Sequence, residues 1–317
     1  MARRGKVKKG RPVNGWVCLD KPVGVTSTQM VGKVRYAFDA QKAGHAGTLD
    51  PLASGVLAIA LGDATKTIPY AVDSEKSYRF TVRWGEQTST DDAEGEAIAT
   101  SDSRPEEAAI LAALPEFTGE ILQLPPRFSA LKLAGERAYD LARAGKEFEL
   151  QPRPVEVRRL RLISQPDPDS AILEMVCGKG AYVRAIARDL GLRLGCYAHA
   201  RDIRRLKVGP FTLENAISLD ILEQLVHNPA LSAHLLPVET PLDDIPALAI
   251  TASDALRLKR GLPILARNGQ ISPSGSVVCA RLHGKAAAIG YIEAGEFRPV
   301  RIFNIPSGVS QSDVDYT

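Results

Sequence analysis

The residues best suited to chemistry lie in one stretch, Gly44-His45-Ala46-Gly47-Thr48-Leu49-Asp50-Pro51-Leu52-Ala53-Ser54-Gly55-Val56-Leu57. Three glycines within twelve residues allow sharp turns and let a ligand come close to the backbone. Between them stand a histidine, two hydroxyls and a single carboxylate, Asp50. A carboxylate beside an arginine keeps its charge, and can then act as a nucleophile or balance a cation forming at a sugar carbon. Asp50-Pro51 also has a plainer reading as a helix start, with aspartate as N-cap and proline in the first turn. Capping preference alone favours that reading, and the two roles are compatible.

The loop needs a rigid support. Val56–Leu61, closed by Gly62, reads as a short buried strand. Before the loop, Gly15–Asp20 reads as a strand, and Thr26 or Ser27 caps a helix to about Phe38 with Met30, Val34, Ala37 and Phe38 on one face. After it, Asp63 is expected to cap a helix reaching Val72. Tyr78, Phe80, Val82 and Trp84 alternate with Arg79, Thr81 and Arg83, the pattern of a half-buried strand; core filling is the ordinary role for Tyr78 there. Ser103 and Glu106 make a capping box for a helix to Leu114. Residues 124–132 read as extended, and Gly135 and Gly145 enclose a short helix. Strands near Val155–Ile163 and Ala171–Val176 form a hairpin.

A helix over Tyr182–Leu194 buries Val183, Ile186, Ala187, Leu190 and Leu194, and leaves Tyr182 and Arg184 in its first turn off that stripe. The ordinary role for Arg184 is a surface arginine paired with Asp189. Residues 241–246 read as a linker. Beyond them come a strand at Ala247–Ile250, a helix near Ser253–Arg260 and three short strands near Val277–Leu282, Ala286–Ile292 and Phe297–Phe303, which suggest a small β-barrel.

Composition sets the class. The 317 residues, 44% hydrophobic and 24% charged, suit a globular chain of two domains. No apolar stretch approaches a membrane span of about 20 residues, and no signal peptide opens the chain. Four scattered cysteines without metal-ligand spacing predict reduced thiols, a cytoplasmic protein and no structural zinc. Net charge is only +3, but residues 1–12 hold six basic residues and no acid. Further basic clusters lie at 153–161, 201–207 and 257–260; they read equally as solvated faces or as a polyanion surface. Walker, dinucleotide, His-Glu-x-x-His and Gly-x-Ser-x-Gly signatures are absent. Tyrosines for stacking a base and basic strips for phosphates lead to an enzyme acting on a nucleobase in RNA, and no further.

Four motifs in order carry a resemblance: Lys21-Pro22-Val23-Gly24-Val25-Thr26-Ser27, the Gly44–Leu57 stretch, Arg127-Phe128-Ser129-Ala130-Leu131-Lys132, and Gly180-Ala181-Tyr182-Val183-Arg184-Ala185-Ile186-Ala187-Arg188-Asp189-Leu190-Gly191. From about Gly15 to Lys207 the chain resembles bacterial tRNA pseudouridine-55 synthases of the TruB type. The resemblance implies an α+β fold, a mixed and largely antiparallel sheet with flanking helices, plus a small C-terminal PUA-like β-barrel. It divides the chain into a basic flexible arm (1–12), a catalytic domain (13–240) and an RNA-binding domain (247–306).

Position by position, Asp50 matches the catalytic aspartate. Tyr78 matches the tyrosine that stacks on the target base and is implicated in removing the carbon-5 proton, and Arg184 matches the arginine paired with the aspartate. His45 and Tyr182 match residues lining the uridine pocket. Ile203 stands where the family usually has leucine, a volume-conserving change that adds β-branching. The implied reaction turns uridine 55 of the tRNA T-arm into pseudouridine, with no cofactor and no metal, in a monomer. Attack on the base, attack on the sugar and elimination at the sugar all remain open for Asp50. Alternatives are a non-catalytic tRNA-binding or folding module and a guide-dependent RNA pseudouridine synthase. A glycoside hydrolase, which needs two carboxylates flanking the bond, ranks behind them.

Overall fold

The computed structural model describes residues 10–129, 131–133, 135–266 and 275–304. Residues 1–9 of the basic arm, and 305–306 at the end of the expected RNA-binding domain, lie outside the described residues. Side-chain alternation builds a large sheet. Along Lys76–Trp84 it buries Tyr78, Phe80, Val82 and Trp84 and turns Arg79 outward. Across the sheet the strands follow as Ile217–Ser218, Gly15–Lys21, Ser54–Leu61, Ala198–Val208, Lys76–Trp84, Ser170–Cys177, Arg153–Asp167 and Gly119–Gln123. Neighbours along this path run antiparallel except at two places, Ile217–Ser218 beside Gly15–Lys21 and Ala198–Val208 beside Ser54–Leu61. The sheet is therefore mixed and largely antiparallel, as expected.

The second of these pairs, Ser54–Leu61 beside Ala198–Val208, lies inside the sheet. Gly55 lies opposite Arg205 with φ +104°, and a Cβ there would stand 2.1 Å from the Arg205 carbonyl oxygen. Glycine is the residue that lets the two backbones approach so closely. Ala43–His45 pairs antiparallel with the far part of Ser54–Leu61, so the Asp50 loop joins two strands of one sheet.

Two helices frame it. Ser27–Ala37 is capped by Thr26, with Gln29 completing the capping box, and buries Met30, Val34 and Ala37. Val183–Arg193 packs on Lys76–Trp84 and Ala198–Val208 through Val183, Ile186, Ala187 and Leu190. The short helix between Gly135 and Gly145 is Ala138–Arg143.

Several local expectations need correction. No helix follows Asp50: residues 51–52 form a turn in which Ala53 N donates to Asp50 O, so Asp50 caps nothing. The helix expected from Asp63 is split into Gly62–Lys66 and Ile68–Asp73. Pro69 lacks the N–H that a continuous helix would need there. Asp63 is not a cap; it accepts a bond from Asn304 N at 2.6 Å and pairs with Lys66. The helix expected from Ser103 begins only at Glu107, because Pro105 favours extended backbone just before it.

The C-terminal sheet runs Ala247–Ala249, Val277–Leu282, Lys285–Glu293, Glu296–Ile302, Ile264–Leu265, with helix Ala252–Lys259 against it. Among the described residues its end strands do not pair with each other, so the small barrel expected here takes the form of a curled half-barrel. The expected linker is packed. Leu242 is fully buried with Cys279, Ala286, Ile289 and Phe303, and Tyr70 and Val238 of the main body join that cluster.

Candidate active site

The Asp50 loop is held from three sides. The Lys21–Ser27 segment supplies one. The ammonium of Lys21, fully buried, donates to the carbonyls of Pro22, Val25 and Pro51 at 2.9, 2.9 and 3.3 Å. Gly24 N donates to Pro51 O at 2.8 Å, and the Ser27 hydroxyl both donates to Leu49 O and accepts from Leu49 N at 2.9 Å. The Lys-Pro-Val-Gly-Val-Thr-Ser motif is thus a clamp on the turn carrying the carboxylate.

Arg205 supplies the second. It is 1% exposed, and its guanidinium donates to Val56 O at 2.7 Å and to Thr48 O and Gly47 O at 3.2 Å. The sequence grouped it with a basic surface cluster, and here the structure corrects the reading. Strand alternation turns Arg205 inward, while Arg204 pairs with Asp20 at 2.7 Å.

Arg184 supplies the third, and it is no surface arginine. It is 5% exposed, and Asp189 pairs with Arg188 in its place. Nη2 of Arg184 meets Asp50 Oδ2 at 2.9 Å and donates to Phe128 O at 2.8 Å. Nη1 donates to Thr90 O at 2.9 Å and meets Asp92 Oδ2 at 3.1 Å. Three acceptors hold the guanidinium while it pairs with the Asp50 carboxylate, and the planar fork is what lets one side chain serve all four groups. Asp50 remains 40% exposed while its partner is buried, so the carboxylate is fixed from behind and open in front.

In front of it is a cavity of about 250 Å³. Asp50, Tyr78, Tyr182, Arg184 and Ile203 all line it, together with Gly47, Thr48, Lys76, Ser129 and Arg205. Residues from the sheet, the helix start and the loop, far apart in sequence, meet there. Among the described residues lining it, Asp50 is the one carboxylate. Asp92, 2% exposed, stands behind Arg184 and accepts from Thr90 Oγ1 and Glu94 N. Among the described residues no second carboxylate lines the cavity opposite Asp50, the pair that a glycoside hydrolase ordinarily uses. His45 ends the strand Ala43–His45 and is not among the lining residues.

Tyr182 is placed by a side chain the sequence did not single out. Gln123, 1% exposed, accepts from Tyr182 N at 2.8 Å and donates to Tyr182 O at 3.1 Å. Burial pushes the Tyr78 phenol above its usual pKa, and Arg205 beside it opposes the rise. Burial likewise lowers Lys21 and Lys76 to about 8. Arg205, Asp92, Gln123 and Lys76 escaped the sequence reading. Alternation along 198–208 gives no signal for Arg205, because register shifts on either side of it break the period and only Ile203, Arg204 and Arg205 alternate locally.

Comparisons with known proteins bear on the chain as a whole. Residues 35–183 match the family model "TruB family pseudouridylate synthase (N terminal domain)" and residues 184–243 match "tRNA pseudouridylate synthase B C-terminal domain". The boundary between the models falls inside the helix bearing Arg184, so both contribute to one cavity. A tRNA pseudouridine synthase B of Dinoroseobacter shibae is 56% identical over 299 residues, covering 94% of this chain and 98% of that protein. One from Caulobacter vibrioides is 52% identical, covering 96% and 100%. In fold the chain is similar to a chain of a Cbf5–Nop10–Gar1 complex, with a TM-score of 0.69, 24% identity, and 92% and 84% of the two chains covered. Identity above half over nearly the whole length, with both family models in order, makes this chain a member of the TruB family of pseudouridylate synthases.

Proposed function

We propose that the protein isomerises uridine to pseudouridine at position 55 in the T-arm of tRNA. The observation that carries the reading is the buried Arg184 holding an otherwise exposed Asp50 at the rim of a cavity walled by Tyr78. The target base leaves its stack, at about a few kcal/mol, and enters the cavity. Tyr78 offers a face for stacking and Ile203 an apolar wall. The base then lies inside while its ribose stays at the rim, beside Asp50. The carboxylate acts in breaking the base–ribose bond, the uracil turns within the walls, and the bond reforms through carbon 5. The carbon-5 proton then leaves.

Tyr78 is buried beside Arg205, and burial raises its phenol pKa while the guanidinium opposes the rise. We assign residues 13–240 to catalysis and 247–306 to added grip on RNA, in a cytoplasmic monomer without cofactor or metal.

The test is tritium release from tRNA transcripts labelled at carbon 5 of uridine, with the purified chain alone. Release from a T-arm stem-loop, absent when cytidine replaces uridine 55, is the expected result. Release that needs a guide RNA, or binding without release, contradicts the proposal.

A further inference from the structure

Behind the Asp50–Arg184 pair lies a second arginine that the mechanism above does not use. Arg184 and Arg188 are four residues apart on Val183–Arg193, so their side chains stack on one face. Each reaches an aspartate of the 90–92 turn and a carbonyl of the 124–128 segment. Arg184 takes Asp92 and Phe128 O. Arg188 takes Asp91 Oδ2 at 2.8 Å and Leu124 O at 2.8 Å, and its Nε donates to Asp189 at 2.8 Å.

The turn bearing the aspartates is built for this. Consecutive residues of an extended chain point to opposite sides. Asp91 instead adopts φ +60°, a left-handed conformation uncommon outside glycine, and so Asp91 and Asp92 both face the helix. Asp91 is 6% exposed; burial pushes its carboxyl pKa up, and the Arg188 guanidinium opposes that rise. The three acceptors of the Arg184 guanidinium, Thr90 O, Asp92 and Phe128 O, all belong to the two segments that Arg188 ties down.

We propose that Arg188 and Asp91 are positioning residues for the isomerase: they fix the 90–92 turn and the 124–128 segment, and through them the guanidinium that orients Asp50. A bond that only stabilised the fold would leave Arg184 in place once the protein is folded. The kinetic part of this proposal rests on the function proposed above; the geometric part does not.

Two variants test it. Asp91→Asn removes the charge but tolerates the left-handed backbone, and Arg188→Met removes the donors while keeping an apolar stem. In each, the Nη signals of Arg184 are followed by nitrogen NMR, assigned with Arg184→Lys. Single-turnover tritium release and tRNA affinity are measured on the same preparations. The three-acceptor grip should give separate, slowly exchanging Nη signals in the unaltered protein. They should collapse in both variants, while the rate falls about tenfold and Kd stays within about twofold, as expected for a misplaced group acting on the chemical step. Signals that stay separate, or an unchanged rate in a folded variant, overturn the proposal. Should Arg188→Met fail to fold, Asp91→Asn decides. Should the unaltered chain release no tritium, the functional reading fails and the Arg184 signals alone decide on the positioning role.

Discussion

Replacing Arg205 by methionine should separate what holds the catalytic loop from what performs the reaction. The guanidinium donates to Val56 O, Thr48 O and Gly47 O from a position 1% exposed. Hydrogen bonds from a charged donor contribute about 1.5–3 kcal/mol each, and a carbonyl left buried without a donor costs about 1–3 kcal/mol. Gly47 and Thr48 line the cavity, so water can reach their carbonyls after the change. Val56 is fully buried and its carbonyl has no such recourse. Methionine also relieves the desolvation of a buried charge, which offsets part of the loss. The balance is a loss of about 2–4 kcal/mol, dominated by one orphaned carbonyl and two weakened contacts. Urea unfolding followed by fluorescence of the buried Trp16 and Trp84 measures it. In the folded variant the freed loop should also slow tritium release by about 100-fold, the scale of a displacement near 1 Å. A stability loss below about 1 kcal/mol would refute the reasoning, since the three carbonyls would then have found other donors.

Arg184→Lys keeps the charge but cannot serve three acceptors and the Asp50 carboxylate with a planar fork; turnover should fall steeply with tRNA affinity in filter binding nearly unchanged, and near-normal turnover contradicts the assigned role. Gly55→Ala places a Cβ against the Arg205 backbone at a positive φ, and overpacking plus strain should cost about 3 kcal/mol in the same unfolding assay; an unaltered midpoint would show that the strands can part. Lys21 titrates near 8 in the folded protein instead of 10.5. Between those values the unfolded chain binds more protons at this site, so its contribution to stability rises with pH through that window. The unaltered protein should therefore gain stability relative to Lys21→Met from pH 8 to 10.5, and a constant difference in urea midpoints contradicts the burial of the charge.

Much of the fold could be read from periodicity. The strand Lys76–Trp84, the helix Ser27–Ala37 with its Thr26 cap, and the helix at Val183 are where alternation and capping place them. Expectations failed where a local preference met tertiary context. Asp50-Pro51 has the chemistry of a helix start, but Lys21, Gly24 and Ser27 capture the surrounding carbonyls and hold a turn. The motif quoted for resemblance marks Asp50, yet which groups hold it is set by long-range pairing. Arg205 reaches the loop through a parallel strand contact 150 residues away, counting from Gly55 to Arg205. Asp92 reaches Arg184 through a left-handed turn that no periodicity announces. The second arginine was legible as a residue of the Tyr182–Gly191 motif, but not as a partner of Asp91.

The central claim is that Asp50 reacts. Asp50→Asn tests it most directly, because asparagine is nearly isosteric and caps a helix about as well as aspartate. The structure sharpens the test, since Asp50 caps no helix and its carboxylate meets Arg184 at 2.9 Å. Tritium release and filter binding on one preparation give the answer. The predicted result is no detectable release with tRNA binding retained, because phosphate contacts and stacking supply most RNA affinity. Full release from the Asn variant would contradict the assignment of Asp50.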